Sequence, residues 1–181
     1  MIIMPHVMRF AILFLVATVA NAGSIDGRVV AVTNGDTVTV LDAHKKQYRV
    51  RLADIEAPDK TQPYGDRSKQ HLSDLVLDKP VSVEWQKYDR YGRIFGKVMV
   101  AARNACPAAR PDCPKTLDVG LLQLVAGRAW QYGHSEGEQT PQDRAAYSFA
   151  ERVARGKRLG LWADTAPVPP WQWRSEHRLV K

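Results

Sequence analysis

The chain has 181 residues, of which 45% are hydrophobic and 25% are charged. This length predicts one domain with a sizeable core, and the balanced composition excludes a low-complexity or disordered chain. The formal net charge of +7 favours polyanionic partners such as nucleic acids or anionic membrane surfaces, although charge alone does not choose between them.

The amino terminus has the pattern of a cleavable export signal. Arg9 precedes a run of ten apolar residues, Phe10–Val19, and small residues follow at Ala20 and Ala22, where a signal peptidase reads the chain. The run is too short to span a bilayer, which needs about 20 residues. We predict a signal peptide over 1–22, cleaved after Ala22, and a periplasmic or secreted protein without stable membrane association. An uncleaved membrane anchor is the alternative.

Three consecutive strands are predicted at the start of the mature chain. Gly27–Thr33 is rich in β-branched residues, and the turn signal Asn34-Gly35-Asp36 separates it from a second strand, Thr37–Leu41. The third strand, Gln47–Ile55, alternates arginines with aliphatic residues, which is the period of a half-buried strand.

A helix and two further strands follow. Tyr64–Leu77 carries Leu72, Leu75 and Val76 at the spacing of an amphipathic helix. The fourth and fifth strands are predicted at Val81–Lys87 and Arg93–Val100. Five strands with a helix after the third is the order of an OB-fold barrel. The predicted fold class is therefore α+β, mainly β: an OB-fold five-stranded barrel with three helices.

The other two helices are predicted after Asp118 and after Thr140, both of which are good amino-terminal capping residues. Their apolar faces are assigned to Leu121, Leu122 and Val125, and to Ala145, Phe149 and Val153.

Two cysteines and a Pro/Trp-rich tail complete the chain. Cys106 and Cys113 have no histidine between them and do not make a zinc site; after export a local disulfide is plausible, with two free thiols as the alternative. The tail is expected to be extended and to pack through its rings. The predicted domains are thus a signal peptide over 1–22, a globular domain over 23–165 and a tail over 166–181.

Charged residues gather in three segments beside strand ends and tight turns: Asn34–Thr37, Arg51–Asp59 and Asp89–Arg93. Phosphodiester hydrolysis needs a base for the attacking water, cationic groups that hold the phosphate oxygens, and often a hard divalent cation. These segments supply all of them. Any one segment alone is more often structural, but the three together in this order are much more specific.

The three segments resemble, in order and spacing, those of the staphylococcal nuclease (thermonuclease) family. The similarity runs from about Gly27 to Trp162; Leu159–Trp162 resembles the family's closing L-x-[IL]-W, and the PPWQWR tail resembles that of many exported members. The resemblance implies an OB-fold with three helices, one Ca²⁺, and cleavage of single- or double-stranded DNA and RNA to 3′-phosphate products.

The resemblance also implies residue roles. Asp36 and Glu56 would bind the metal through their carboxylates, and Ala57 through its backbone carbonyl. Arg51 would bind the phosphate, and Asp59 would orient or deprotonate the attacking water.

Further roles follow from the same resemblance. Arg93 would stabilise the charged transition state and the leaving oxygen, while Arg90 and Tyr91 would contact a terminal phosphate of the substrate. Trp130 and Tyr132 would form an aromatic wall for a base, and stacking of this kind is tolerant of sequence.

Three positions depart from the family pattern. Asn34 replaces an aspartate that does not bind the metal directly, which predicts a modest effect. Glu56 and Asp59 stand where the pattern has Asp and Glu, so the two acids are exchanged. One methylene changes the reach by about 1–1.5 Å, and a misplacement of about 1 Å can cost on the order of a hundredfold in rate. Both exchanged positions keep their negative charge, which predicts that the site is catalytically active.

We therefore predict a calcium-dependent phosphodiesterase that cuts DNA and RNA with little sequence specificity, acting as a monomer. The alternative is a non-catalytic OB-fold nucleic-acid-binding protein of nuclease ancestry, which the exchanged acids favour. A structural or partner-binding protein of the cell envelope would fit the tail and the charge, but would leave the three segments unexplained.

Overall fold

The computed structural model describes residues 23–106, 112–133 and 139–178. The predicted signal peptide, 1–22, lies outside these ranges. Within them, none of the helices has both the length and the apolar character needed to cross a bilayer.

The core is a closed barrel of five strands. These are β1 (Gly23–Asn34), β2 (Thr37–Asp42), β3 (Gln47–Leu52), β5 (Pro80–Tyr88) and β6 (Ile94–Ala101). They pair in the order β3-β2-β1-β5-β6, and parallel pairing of β3 with β6 closes the barrel. The predicted α+β OB-fold architecture is confirmed.

The barrel forms because its strands alternate in side-chain character. Along β6 every second residue is buried, from Ile94 to Val100, and β-branched side chains suit this pleated, half-buried surface. The interior is accordingly aliphatic, and its fully buried members include Val29, Val38, Val40, Val50, Leu52, Val81, Val83 and Val98.

In the described residues, three short strands and four helices surround the barrel. The strands are β4 (Ile55–Glu56), β7 (Lys115–Asp118) and β8 (Trp130–Gln131); the helices are α1 (Gly65–Val76), α2 (Val119–Val125), α3 (Pro141–Gly156) and α4 (Pro170–Arg178), with a 3₁₀ turn at Gly160–Ala163. β7 extends the sheet beside β6, and β4 pairs with β8. The predicted helix α1 buries Leu72 and Val76 as expected.

The apolar face predicted for α3 is wrong, and the face predicted for α2 is right only in part, since Leu121 packs against the core. Val125 is 50% exposed and Phe149 is 62% exposed, whereas α2 buries Gln123 and α3 buries Tyr147. Both buried residues are polar and are satisfied by specific hydrogen bonds, as when the Tyr147 hydroxyl donates to Asp118. The spacing of apolar residues therefore predicted the wrong buried face for α3.

The tail is a helix, and the expectation of an extended segment is wrong. Pro170 begins α4, a position where its fixed φ suits a helix and its missing N–H costs nothing. The amides of Gln172 and Trp173 donate to the carbonyl of Pro169, and Gln172 hydrogen-bonds to Glu176 one turn later.

Cys106 and Cys113 are joined by a disulfide, with their Cα atoms 6.0 Å apart. The bond closes the connection between β6 and β7, of which 107–111 lies outside the described residues.

Candidate active site

The first acid of the site, Asp36, is fixed by both of its carboxylate oxygens. It follows the β1–β2 turn and is 2% exposed. Its Oδ1 accepts a hydrogen bond of 2.8 Å from the Thr37 hydroxyl, and its Oδ2 accepts one of 2.9 Å from the amide of Ala57. The carboxylate therefore ties the turn to the segment that follows β4.

Glu56 reaches the same place because the chain turns sharply after β3. The third strand was predicted to run to Ile55, but β3 ends at Leu52 and Asp54 adopts a left-handed conformation with φ of 61°. The short strand β4 then pairs Glu56 with Trp130 of β8. Glu56 is 3% exposed, and its Oε2 is a buried atom with no hydrogen-bond partner.

Arg51 lies between these two buried carboxylates. Its Nη1 is 3.2 Å from Asp36 Oδ2 and its Nη2 is 3.8 Å from Glu56 Oε1. An isolated buried carboxylate is costly, so the arginine offsets much of the charge that Asp36 and Glu56 bring. The Arg51 side chain keeps 16% of its surface exposed, which leaves the guanidinium open to a phosphate.

The third acid, Asp59, lies on the loop beyond Pro58 and is half-buried. Its amide donates to Gln62 Oε1 over 3.1 Å. Its carboxylate is not free: Arg174 Nη1 of α4 lies 3.2 Å from Asp59 Oδ1. Arg174 Nη2 also hydrogen-bonds to Glu56 Oε1. Sequence reasoning missed Arg174, because no local pattern indicates where a tail docks.

The second predicted arginine, Arg93, is held by the β5–β6 turn. Its amide and its Nε donate to the two carboxylate oxygens of Asp89, over 2.9 and 2.6 Å. In the parallel β3–β6 pairing Arg51 is the partner of Phe95, two residues after Arg93. Arg93 lies directly before β6, next to Ile94, which pairs with Val50 of β3.

Asp89 anchors this turn as an ionised carboxylate. Burial alone would raise the pKa of Asp89, but hydrogen bonds from the backbone and side chain of Arg93 outweigh burial, and the pKa is lowered. Tyr91 projects from the turn with 67% of its surface exposed, and its ring lies 4.9 Å from the Arg90 guanidinium and 5.3 Å from that of Arg93.

The two residues predicted to form an aromatic wall for a base lie in different surroundings. Trp130 is 4% exposed and packs edge-on against Trp162 at 5.4 Å, so its ring belongs to a core and offers no face to a base. The stacking role predicted for Trp130 is therefore wrong in this arrangement. Tyr132 is half-buried, and its ring lies 5.6 Å from that of Trp171 on α4.

The donor set at this site fits a hard cation. The side chains of Asp36 and Glu56 offer only oxygen, which Ca²⁺ prefers, and the unpartnered Glu56 Oε2 is a buried acceptor without a donor. Among the residues the structure describes, no three acidic, histidine or cysteine side chains already converge as a complete ligand set. The guanidinium of Arg174 lies between Glu56 and Asp59 instead.

A closed OB barrel with buried carboxylates and arginines on one face defines a class of protein that handles phosphate groups. Comparison with known proteins is more specific: residues 49–164 match the family described as staphylococcal nuclease homologue. The chain belongs to this family.

Similar proteins cover nearly the whole chain. Protein ParB of Escherichia coli is 38% identical over 93% of this chain and 91% of its own length. An uncharacterized endonuclease of Escherichia coli is 37% identical over 90% of this chain and 94% of its own length. A micrococcal nuclease of Shigella flexneri is 36% identical over 91% and 88%, respectively.

Proposed function

We propose that the protein is an exported, Ca²⁺-dependent nuclease that hydrolyses phosphodiester bonds of DNA and RNA with little sequence preference and leaves 3′-phosphate ends. The observation that carries the proposal is the pair of buried carboxylates, Asp36 and Glu56, with Arg51 between them and one carboxylate oxygen unpartnered. Membership of the nuclease family and the endonuclease names of similar proteins support the same activity.

Asp36 and Glu56 would hold the cation through their carboxylates, and Ala57 through its carbonyl. When bound, the cation supplies positive charge to the phosphate oxygens, whose negative charge grows in the transition state. Arg51 binds a non-bridging oxygen of the same phosphate with the planar fork of N–H donors on its guanidinium.

The protein's own groups move the proton and stabilise the leaving oxygen. Asp59 accepts the proton of the attacking water as the water oxygen bonds to phosphorus. The bond from phosphorus to the 5′ oxygen breaks, which leaves the phosphate on the 3′ side. Arg93 hydrogen-bonds to the departing oxygen and stabilises its charge.

Away from the scissile phosphate, the protein would contact the phosphate backbone of the nucleic acid and the ring faces of its bases. Arg90 and Tyr91 are exposed on the β5–β6 turn, where a terminal phosphate can reach them. Tyr132 offers a ring on which a base can stack. Contacts with phosphates and ring faces carry little sequence information, which is why we propose low specificity.

We also propose that the chain is exported. The apolar run Phe10–Val19 followed by Ala20 and Ala22 supports a cleavable signal. The Cys106–Cys113 disulfide is consistent with an oxidising compartment. The mature protein would be a monomer in the periplasm or outside the cell.

One observation favours a second candidate, a nucleic-acid-binding protein without turnover. Arg174 hydrogen-bonds to Glu56 and Asp59, so the acids are neutralised by the chain itself. A permanent contact of this kind would exclude the cation and leave a basic surface that binds nucleic acid.

Cleavage by the mature chain, residues 23–181, distinguishes the two. Purified protein is incubated with labelled single-stranded DNA, duplex DNA and RNA in millimolar Ca²⁺ or in EGTA, and the product ends are identified by removal of 3′-phosphates with a phosphatase. We expect cleavage of all three substrates in Ca²⁺ alone, with 3′-phosphate ends. Binding without cleavage in Ca²⁺, Mg²⁺ and Mn²⁺ would refute the nuclease and favour the binding protein.

A further inference from the structure

Helix α4 places a basic side chain on two acids that the proposed function uses. Arg174 Nη2 hydrogen-bonds to Glu56 Oε1, and Arg174 Nη1 lies 3.2 and 3.4 Å from the two carboxylate oxygens of Asp59. Burial disfavours the charged guanidinium, but the hydrogen bond and charge of Glu56 and the charge of Asp59 outweigh burial and raise the pKa of Arg174.

The same helix covers the aromatic ring expected to meet a base. The rings of Trp171 and Tyr132 are 5.6 Å apart and inclined at 43°. Just before α4, the carbonyl of Val168 accepts a hydrogen bond of 2.5 Å from Gln62 Nε2, and Gln62 Oε1 in turn accepts from the amide of Asp59. One segment thus contacts the acid loop and the stacking ring together.

The docked position of α4 is easily reversed. The helix has nine residues, and isolated helices below about 12 residues are marginal in water. Trp171 is 42% exposed and the Arg174 side chain is 36% exposed, while Pro170 is buried and Trp173 is half-buried, so a few side chains hold the helix in place. A segment with few buried contacts opens at a small fraction of the global unfolding free energy.

Docking of Arg174 and binding of a cation exclude each other. A bound Ca²⁺ requires oxygen ligands at about 2.3–2.6 Å, and of the two Glu56 oxygens Oε1 already accepts a hydrogen bond from Arg174, which leaves the buried Oε2. Arg51 already lies beside Glu56, so a cation bound while Arg174 is docked would be a third positive group at this carboxylate and would be repelled by both guanidinium groups. In addition, Asp59 cannot receive a proton from water through oxygens that Arg174 occupies.

We propose that the active site is also the docking site of the chain's own C-terminal helix. Binding of α4 and binding of the cation with its nucleic acid are mutually exclusive, and α4 leaves before a substrate is cut. This inference rests on the proposed function, because it takes Glu56 as a ligand and Asp59 as the base. Arg174 stands where the cation and its phosphate bind, and Trp171 stands where a base stacks. The tail is thereby a tethered competitor whose release accompanies loading of the site.

Hydrogen exchange measures the release directly. Peptides that cover residues 165–178 are followed by mass spectrometry in the mature wild-type protein, in Arg174→Gln, and in the matched control Arg152→Gln, which removes an exposed arginine of α3. In EGTA we expect protection of α4 in wild type and control, and fast exchange in Arg174→Gln. Addition of Ca²⁺ should abolish the protection in wild type and control, since the helix is not stable when undocked.

Calorimetric titration with Ca²⁺ measures the competition. The apparent affinity of wild type is reduced by the fraction of molecules in which α4 is docked, so Arg174→Gln should bind Ca²⁺ about tenfold more tightly or better, while Arg152→Gln matches wild type. Equal affinity in all three proteins, with α4 protected in Ca²⁺, would overturn the competition and leave the nuclease intact. Absence of Ca²⁺ binding in wild type and in Arg174→Gln would overturn the proposed cation site, and the competition with it.

Discussion

Gln123 of α2 holds the turn that carries Asp36, and its replacement is the sharpest test of how the fold positions the site. The side chain is fully buried. Its Nε2 donates to the carbonyl of Gly35 over 2.6 Å and to the carbonyl of Ser68 over 3.2 Å. Position 35 lies so close to α1 that only glycine fits, because a Cβ there would lie 1.9 Å from the Ser68 hydroxyl oxygen.

The substitution Gln123→Met keeps an unbranched side chain of similar size and removes the donors. The buried carbonyl of Gly35 loses its donor, which costs about 1–3 kcal/mol, and loss of the second hydrogen bond adds about 1 kcal/mol. We expect the free energy of unfolding to fall by about 2–4 kcal/mol. Because Asp36 follows Gly35 directly, looser placement of its carboxylate should also lower the cleavage rate by about tenfold or more.

Urea unfolding at neutral pH measures the change, and Gln70→Met is the matched control. Gln70 is also a helix glutamine with a side-chain amide donor, but it is exposed and bonded only to Asp74. Exposed substitutions stay within about 0.5 kcal/mol. If Gln123→Met costs less than about 1 kcal/mol, or no more than the control, the buried network does not hold the turn.

Three further changes follow from the structure. Tyr147→Phe removes a 2.7 Å hydrogen bond to Asp118, which caps α2, and should lower the unfolding free energy by about 1.5–3 kcal/mol; a value near zero would contradict the contact. Replacement of Cys106 and Cys113 by serine opens a short loop and should cost about 2–3 kcal/mol in urea unfolding while cleavage per folded molecule is unchanged. Asp89→Asn should destabilise the protein at neutral pH, because the pKa of Asp89 is lowered in the folded state. The stability that the ionised carboxylate contributes is present above the unfolded pKa near 3.8 and is lost as the pH falls through the folded pKa. The unfolding free energies of the mutant and the wild type should therefore converge in acid.

The barrel and the acids could be predicted because their signals are local. Alternation along each strand and the turn signal at Asn34–Asp36 identify the hairpin without knowledge of distant residues. The order of the three charged segments then brings Asp36, Arg51 and Glu56 together, since neighbouring strands of a barrel end side by side. The structure places these three within salt-bridge distance.

The errors arise where distant contacts decide the outcome. Phe149 is apolar yet exposed, because α3 packs its face with Tyr147 on the cap of α2. The burial of Trp130 was not predicted, because a two-residue strand gives no periodic signal for the face on which a side chain lies. Arg174 reaches Glu56 from 118 residues away in the chain, and no propensity or spacing within the tail indicates such a contact.

The central claim is that Arg51 and the acids beside it cut phosphodiester bonds. Initial cleavage rates of single-stranded DNA in Ca²⁺ are compared for wild type, Arg51→Ala, Arg51→Lys and Arg49→Ala, with thermal unfolding of each protein to confirm folding. Arg49 lies two residues earlier on the same strand and is exposed without contacts to the acids. We expect the cleavage rate of Arg51→Ala to fall by about 10²–10³-fold, that of Arg51→Lys to recover little because the planar fork is lost, and that of Arg49→Ala to stay within a few-fold of wild type. Equal rates for Arg51→Ala and Arg49→Ala, in folded proteins, would contradict it.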